Sequence, residues 1–221
     1  MARGRLIVFE GVEGAGKTTQ IKLLAERLAT AGITARGVRE PGGTPVGDDI
    51  REILLHPEKD ITAATEALLF MASRAELVER ELGPALAEGV VILVDRFFLS
   101  TYAYQVAGRG LPEAEIRAAN RLATGGLVPD LTLLLDVSAA QGLGRADARG
   151  KRDRIEKSGD EFHQRVNDAF RQFANPAWQA SHPECGPINL IDGAGTETTV
   201  HERLVSILAA TFPQPFERIK S

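Results

Sequence analysis

Residues 6–18 read LIVFEGVEGAGKT, and this stretch decides the fold. Residues 6–9 are a short continuous apolar run, which is typical of a strand buried on both faces of a parallel sheet. Residues 18–31 follow with apolar side chains at helical spacing, and Gly32 lies just past their end as a helix C-cap. The stretch therefore predicts a strand, a glycine-rich turn and a helix in immediate succession.

The same alternation continues along the chain. Further strands are predicted at 35–39, 90–94, 131–137 and 188–191. Helices are predicted at 66–81, 113–123, 161–174 and 198–211. Strands that alternate with helices form a parallel sheet with helices on both faces. We therefore expect an α/β protein in three layers around a five-stranded parallel sheet.

Length and composition restrict the class of protein. The 221 residues suit a single domain over 1–212, and the two prolines and few apolar residues of 213–221 predict a frayed tail. The net charge of −4 argues against a protein that coats DNA or RNA. Cys185 is the only cysteine, and no apolar run approaches the ~18 residues of a membrane span. We expect a soluble cytoplasmic protein without nucleic-acid or membrane partners.

One glycine-rich motif predicts phosphate binding. Residues 11–18 match the pattern G-x-x-x-x-G-K-S/T between a predicted strand and a predicted helix. These residues are Gly11, Val12, Glu13, Gly14, Ala15, Gly16, Lys17 and Thr18. The glycines let backbone N–H groups wrap a phosphate, while Lys17 reaches the outer phosphates and Thr18 ligates Mg²⁺. The motif predicts a P-loop that binds a nucleoside triphosphate with magnesium, with an ordinary glycine-rich turn as the alternative.

Residues outside the P-loop favour a kinase among P-loop proteins. The chain lacks the Asn-Lys-x-Asp motif of guanine-reading switches, and the 90–94 strand is followed by Asp95-Arg96 where motor ATPases have Asp-Glu. Asp95 is a candidate Mg²⁺ ligand or a strand-end cap, and the arginine beside it suits a second phosphate group. Bringing a phosphate dianion against the terminal phosphate of ATP requires several arginines and a lid. Candidates for these arginines are Arg39, Arg51, Arg74 and Arg96.

The charged segment 145–154 has two interpretations. It is either the solvated end of a helix or the arginine-bearing part of a lid over about 142–156. The P-loop upstream favours the lid.

The sequence resembles the thymidylate (dTMP) kinases, from about residue 5 to about residue 195. The resemblance rests on Phe9-Glu10-Gly11 through Lys17-Thr18-Thr19, Arg39-Glu40-Pro41-Gly42-Gly43-Thr44, Leu69-Phe70-Met71-Ala72-Ser73-Arg74, Asp95-Arg96, Ser100-Thr101, Ala103-Tyr104-Gln105, Pro129-Asp130-Leu131-Thr132 and Asp153-Arg154-Ile155-Glu156. It implies transfer of the γ-phosphoryl group of ATP to dTMP with Mg²⁺, and a homodimer.

The resemblance also implies roles for single residues. Residues 11–19 bind ATP, and Thr18 with Asp95 binds the metal. For the base, Phe70 stacks on thymine and Arg74 contacts its edge. For the sugar, Tyr104 crowds the 2′ position and Glu13 approaches the 3′-hydroxyl, and the residues along base and sugar are Ser100, Thr101 and Gln105. The dTMP phosphate is held by Arg39, Arg51 and Arg96.

The catalytic arginine is expected in the lid. The P-loop carries Glu13-Gly14-Ala15 and no arginine, which resembles the bacterial lid-arginine type. Arg149 is the first candidate and Arg154 the second, acting with Lys17 and Arg96, while Arg145 lies against adenine. Phe97 stands where the family usually has tyrosine or histidine, and Arg152 stands at an often apolar lid position.

Other interpretations stay open for several of these residues and for the function. Phe70 alone reads as core, Ser100 and Thr101 as helix caps, and Arg51 as a solvated side chain. The alternative functions are another P-loop kinase of nucleoside monophosphates or deoxynucleosides, and a P-loop ATP-binding regulatory protein. None of the four histidines has the spacing of a metal site.

Overall fold

A five-stranded parallel sheet forms the centre of the molecule. The computed structural model describes residues 3–137, 142 and 153–219. The strands are β1 (Leu6–Glu10), β2 (Ala35–Arg39), β3 (Val91–Asp95), β4 (Leu131–Asp136) and β5 (Ile188–Asp192). They are all parallel and lie in the order β2-β3-β1-β4-β5. The predicted α/β fold with a five-stranded parallel sheet is confirmed.

Helices cover both faces of this sheet. In the described ranges the α-helices are α1 (Lys17–Thr30), α2 (Pro45–Leu55), α3 (Ala63–Leu77), α4 (Gly83–Ala87), α5 (Phe98–Thr101), α6 (Glu113–Thr124), α7 (Asp160–Phe173), α8 (Pro176–Ser181), α9 (Glu197–Thr211) and α10 (Pro213–Phe216). Two π-helical segments, Val78–Leu82 and Tyr102–Gly108, continue α3 and α5, and short 3₁₀ turns span Pro183–Cys185 and Glu217–Ile219. None of these helices is long and apolar enough to cross a membrane.

Each face of the sheet has its own apolar core. Leu6, Val8, Ile92 and Val94 pack on one side with residues of α4, the second π-helical segment and α7. Their neighbours in the same strands, Ile7, Phe9, Val91 and Leu93, pack on the other side with α1 and α9. Successive side chains of a strand point to opposite faces, so a strand that is covered on both sides must be apolar throughout. This is why the strands are continuous apolar runs in the sequence.

The register brings the carboxyl ends of the strands to one edge. Asp95 at the end of β3 lies beside Phe9 of β1 on one side and Arg39 of β2 on the other. The segments that follow β1, β2 and β3 therefore start next to one another. In open α/β sheets, ligands bind at this edge.

The helix predicted over 66–81 differs from the structure. It begins earlier and divides into α3, the π-helical segment Val78–Leu82 and α4. Pro84 has no N–H to donate, and the N–H of Gly83 just before it reaches back five residues to the Val78 carbonyl. The proline thus interrupts the regular hydrogen-bond ladder of a long α-helix.

The expectation of a frayed tail is wrong for residues 213–219. Phe216 and Ile219 are buried in the core that α1 and α9 share. Arg27 of α1 donates from Nε to the Ile219 carbonyl at 2.6 Å. Two large apolar side chains and one tertiary hydrogen bond are enough to hold this segment against the domain.

Candidate active site

The P-loop leads directly into the amino-terminus of α1. Gly16, the N-cap residue of α1, has left-handed backbone dihedrals (φ 94°) and as a glycine has no side chain that could cap the helix. A Cβ at Gly11 would lie 2.6 Å from the Leu135 carbonyl oxygen, so this position requires glycine. The first N–H groups of a helix have no intrahelical acceptor. Together with the helix dipole, they form a site for an anion.

Lys17 lies beneath this loop. Its Nζ donates to the carbonyl oxygens of Gly11 at 3.1 Å and Val12 at 2.9 Å, and the residue is 6% exposed. Burial, with a smaller contribution from Arg96, lowers the pKa of Lys17 to about 8. A buried cation held this way gains most from a bound anion, because burial has already removed it from water.

A cavity of about 510 Å³ opens in front of the P-loop. Its lining includes Glu13, Gly14, Ala15, Gly16, Lys17, Thr18, Thr19, Arg39, Arg51, Asp95 and Arg96. Gly11 and Val12 do not line this cavity, and their carbonyl oxygens accept hydrogen bonds from Lys17. The sequence-predicted triphosphate residues are therefore brought together, with the two strand-end residues Asp95 and Arg96 beside them.

Thr18 and Asp95 supply oxygen atoms suited to magnesium. The Thr18 hydroxyl donates to Oδ2 of Asp95 at 2.7 Å, which places both groups at one wall of this cavity. Within residues 3–137, 142 and 153–219, no group of three or more histidine, cysteine or acidic side chains could hold a metal. A site with one hydroxyl and one carboxylate fits Mg²⁺ that takes its other ligands from nucleotide phosphates and water.

A second cavity of about 290 Å³ adjoins the first. Phe70, Arg74, Ser100, Thr101, Tyr104 and Gln105 all line it. Glu13, Glu40, Arg51 and Arg96 line both cavities. The two cavities therefore meet at a boundary that carries two arginines and two carboxylates. We call the first the donor cavity and the second the acceptor cavity.

Arg96 lies at that boundary in a strained backbone conformation. Its φ is 73°, and in the described part of the chain no other non-glycine residue has a positive φ. Its guanidinium donates to the Gly11 carbonyl at 3.2 Å, to Ser100 Oγ at 3.0 Å and to Glu13 Oε2 at 2.8 Å. The ring of Tyr104 lies 5.3 Å from its Cζ atom. Strain of this kind is found where a side chain must be aimed at a ligand.

Glu10 holds this turn in place and was missed as a functional residue. It is fully buried, and its carboxylate accepts from the Phe97 N–H at 2.7 Å, the Ser100 N–H at 3.0 Å and the Ser100 hydroxyl at 2.6 Å. The carboxylate thus caps the amino-terminus of α5, where Phe97 itself supplies no cap. The sequence showed an acid at the end of β1, and nothing in it identified these partners.

Arg74 is a buried member of the acceptor cavity. Its Nε and Nη2 donate to the two carboxylate oxygens of Glu40, each at 2.6 Å, and its Nη1 donates to Asn120. Nη2 also donates to the Phe97 carbonyl at 2.9 Å. Burial raises the pKa of Glu40, and Arg74 opposes that rise. A guanidinium has five N–H groups, so one on Nη1 has no acceptor among the described residues and can serve a ligand.

Arg154, the second candidate for the catalytic arginine, lines neither cavity, and its catalytic role stays a prediction. Its Nη2 donates to Glu66 Oε2 at 2.7 Å and its Nε to the Leu54 carbonyl at 2.8 Å. A buried carboxylate on α3 thus holds this guanidinium away from the donor cavity. Arg145, Arg149 and Arg152, and most of the expected lid, lie outside the described residues.

The segment after β5 was also missed. Gln20, Gly193, Gly195, Thr196, Glu197 and Val200 complete the wall of the donor cavity. Gln20 of α1 donates to the Glu197 carbonyl at 2.9 Å, and His201 contacts the Gln20 Oε1 atom at 3.1 Å. Because that carbonyl can only accept, Oε1 of Gln20 faces the histidine, whose Nδ1 must then be protonated. The sequence signal that could have indicated this part of the cavity wall was the pair Gly193 and Gly195, shortly after the strand predicted at 188–191.

Comparison with known proteins agrees with this arrangement. The family model described as thymidylate kinase matches residues 9–181. A thymidylate kinase of Pseudomonas fluorescens is 45% identical over 98% of this chain and 99% of its own length. Those of Caldanaerobacter subterraneus and Deinococcus radiodurans are 42% and 48% identical over 92% and 79% of this chain, and over 94% and 85% of their own lengths. The chain therefore belongs to the thymidylate kinase family.

Proposed function

We propose that this protein transfers the γ-phosphoryl group of ATP to dTMP in the cytoplasm, giving dTDP and ADP with Mg²⁺ as the metal. The observation that carries the proposal is the pair of adjoining cavities with Arg51, Arg96 and Glu13 on their shared boundary. The P-loop opens on one cavity, and an aromatic and polar pocket forms the other. A reaction that joins two bound phosphates needs two such sites with cations between them.

On the donor side, residues 11–19 bind the triphosphate. The N–H groups at the start of α1 hold phosphate oxygens, and Lys17 leaves the Gly11 and Val12 carbonyls to contact the transferring group. Thr18 and Asp95 would hold Mg²⁺, which would neutralise charge on the phosphates. The family resemblance assigns Arg145, which is outside the described residues, to the adenine.

On the acceptor side, the protein positions an oxygen that is already nucleophilic. A phosphate monoester has a second pKa of ~6, so at neutral pH it needs no strong general base. Arg39, Arg51 and Arg96 hold this phosphate, and Glu13 takes the 3′-hydroxyl. Phe70 stacks on thymine, Arg74 uses its remaining N–H for O4, Ser100 and Thr101 lie along the nucleoside, and Tyr104 blocks a 2′-hydroxyl.

The lid supplies the cation that the P-loop lacks. We assign this role to Arg149 first, because Arg154 is engaged by Glu66 and Leu54. An arginine that reaches the transferring group stabilises the charge that develops in the transition state.

The decisive experiment is a coupled ADP-release assay with dTMP, dUMP, dCMP, dGMP and UMP as acceptors. We expect dTMP to be best, dUMP next, and UMP and dCMP far behind. Greatest activity with another nucleotide would assign the chain to a different acceptor. ATP turnover that is independent of every acceptor would support an ATP-binding regulatory protein instead.

We also propose a homodimer that forms through α2, α3 and α6. These helices lie side by side, and they expose large apolar side chains: Val46 at 49%, Ile53 at 36%, Leu68 at 64% and Leu122 at 86%. Neighbouring exposed positions of α3 and α6 carry alanine, which permits close helix approach.

Sedimentation of the Leu68→Lys variant tests this interface. We expect a monomer, because a lysine cannot be buried unpaired in an apolar interface. Leu190→Lys is the matched control, since Leu190 is 48% exposed on β5, outside these three helices. A dimer that survives L68K, or a wild-type monomer, would refute the proposed interface.

A further inference from the structure

Glu66 is a buried acid on α3 that contacts the acceptor cavity through another residue. It is 1% exposed. Its Oε1 accepts from Gln105 Nε2 at 3.0 Å and from Arg109 Nε at 3.0 Å. Its Oε2 accepts from Arg109 Nη2 at 2.9 Å and from Arg154 Nη2 at 2.7 Å. Of these three partners, only Gln105 lines the acceptor cavity.

The carboxylate of Glu66 accepts hydrogen bonds and donates none. Burial alone would raise its pKa, but hydrogen bonds from Arg109, Arg154 and Gln105 outweigh burial, and the net pKa is lowered. An ionised carboxylate has no proton to donate. The side of the Gln105 amide that faces Glu66 must therefore be its amino group.

This contact leaves the other half of the Gln105 amide for the cavity. Oε1 of Gln105 accepts no hydrogen bond from any residue within the described ranges, although the residue is only 2% exposed. Amide orientation is usually ambiguous in a structure, but here the charge of Glu66 selects one of the two orientations.

Arg74 gives the same cavity a complementary group. Its free Nη1 N–H is a donor, while Oε1 of Gln105 is an acceptor. Thymine and uracil present a carbonyl oxygen beside a ring N–H, which matches a donor beside an acceptor. Cytosine presents an amino group beside an unprotonated ring nitrogen, which is the opposite pattern.

We propose that Glu66 is a positioning residue for acceptor specificity: it turns the carbonyl oxygen of Gln105 into the acceptor cavity, where that oxygen selects a pyrimidine with a ring N–H over cytosine. The inference rests on the proposed function, and it adds the residue that sets the polarity of the recognition site.

The Glu66→Gln variant tests this inference. A neutral amide at position 66 can accept or donate, so it no longer dictates the orientation of Gln105. We expect the ratio of kcat/KM for dTMP to that for dCMP to fall by about 10-fold or more, the effect of one buried polar pairing. The dUMP value should fall in parallel with dTMP, because the two bases share the ring N–H. Calorimetric titration without ATP should show the same fall in the ratio of Kd values.

Arg109→Lys is the matched control. It loses the paired guanidinium hydrogen bonds to Glu66 but keeps the positive charge that favours the ionised carboxylate, and Arg109 does not line the acceptor cavity. We expect lower thermal stability with the dTMP to dCMP ratio retained. A ratio that falls equally in R109K and E66Q would overturn the inference, because general loosening would then explain both.

Gln105→Met separates the residue that recognises the base from the one that positions it. This variant should lower the ratio as much as E66Q does, and E66Q should cause no further fall in its background. A Q105M enzyme with wild-type discrimination would refute the inference even if E66Q does not fold. A folded E66Q enzyme with the wild-type ratio would also refute it. Absence of dTMP binding in the wild type would instead refute the proposed function.

Discussion

Replacing Lys17 by methionine should abolish turnover while stabilising the free protein at neutral pH. The side chains have similar length, so methionine can occupy the space of the lysine stem. Lys17 is 6% exposed and carries a cation that burial disfavours. A residue kept for binding an anion thus costs stability when the anion is absent.

The size of this effect follows from the lowered pKa of Lys17 and from its two hydrogen bonds. The pKa of Lys17 falls from 10.5 to about 8 on folding, which corresponds to about 3 kcal/mol at ~1.4 kcal/mol per pKa unit. Methionine loses the two hydrogen bonds to the Gly11 and Val12 carbonyls, at ~1 kcal/mol each. The net gain at pH 7 is therefore about 1 kcal/mol, or ~2–4 °C in Tm for a chain of this size.

The sign of this difference should reverse with pH. Because the pKa of Lys17 is lowered in the folded state, the penalty is complete below pH 8 and is lost between pH 8 and the unfolded value of 10.5. At pH 9.5 only about 1.4 kcal/mol of the penalty remains, so the K17M protein should be less stable than wild type by somewhat under 1 kcal/mol.

Thermal melting at pH 7 and pH 9.5, without nucleotide or Mg²⁺, measures this difference. The coupled assay should show a loss of turnover of about 10²-fold or more, as for other groups that contact developing charge. Lys22→Met is the control, since Lys22 is exposed on the same helix and should show no pH-dependent difference. Equal destabilisation of K17M at both pH values would refute the electrostatic reasoning. Near-normal turnover would refute the role in catalysis.

Three further changes test other parts of the site. Arg149→Ala should lower kcat by about 10³-fold with little change in dTMP affinity. Arg154→Ala should mainly lower Tm, and the reverse result would assign the catalytic role to Arg154. Tyr104→Ala should lower the ratio of kcat/KM for dUMP to that for UMP, while Tyr104→Phe should retain this ratio. The same ratio in both variants would exclude a steric role for the ring. Glu10→Ala should reduce the unfolding free energy measured in urea by ~2–6 kcal/mol, because two buried N–H groups, including that of Ser100, lose their acceptor at ~1–3 kcal/mol each; a loss under ~1 kcal/mol would contradict this.

The sheet and the P-loop could be predicted because local sequence determines them. Strands covered on both faces must be continuous apolar runs, so all five strands were found within a residue or two at each end. The phosphate site needs glycines and a lysine at close spacing along the chain, which is visible in residues 11–18.

Contacts between distant segments could not be predicted in the same way. An acid such as Glu66 reads alike whether it faces solvent or accepts from an arginine 88 residues away. For the same reason the sequence placed Arg154 in the lid without showing that it pairs with that acid, and it placed Glu10 at the end of a strand without showing its partners. Residues 213–219 read as a tail because the chain alone does not show which surface Phe216 and Ile219 can cover.

The winding of the backbone over Tyr102–Gly108 has a consequence for how this pocket can change. The π-helical segment places Tyr104 and Gln105 in the acceptor cavity with one more residue per hydrogen-bonded loop than an α-helix has. Deleting a single residue there would remove the extra residue of the wide turn and return the segment to α-helical winding, which changes the directions of the side chains within the turn. A relative shortened by one residue could then match this chain on both sides of the segment and still present different side chains to the pocket, so the length of this segment carries information about substrate as well as its sequence.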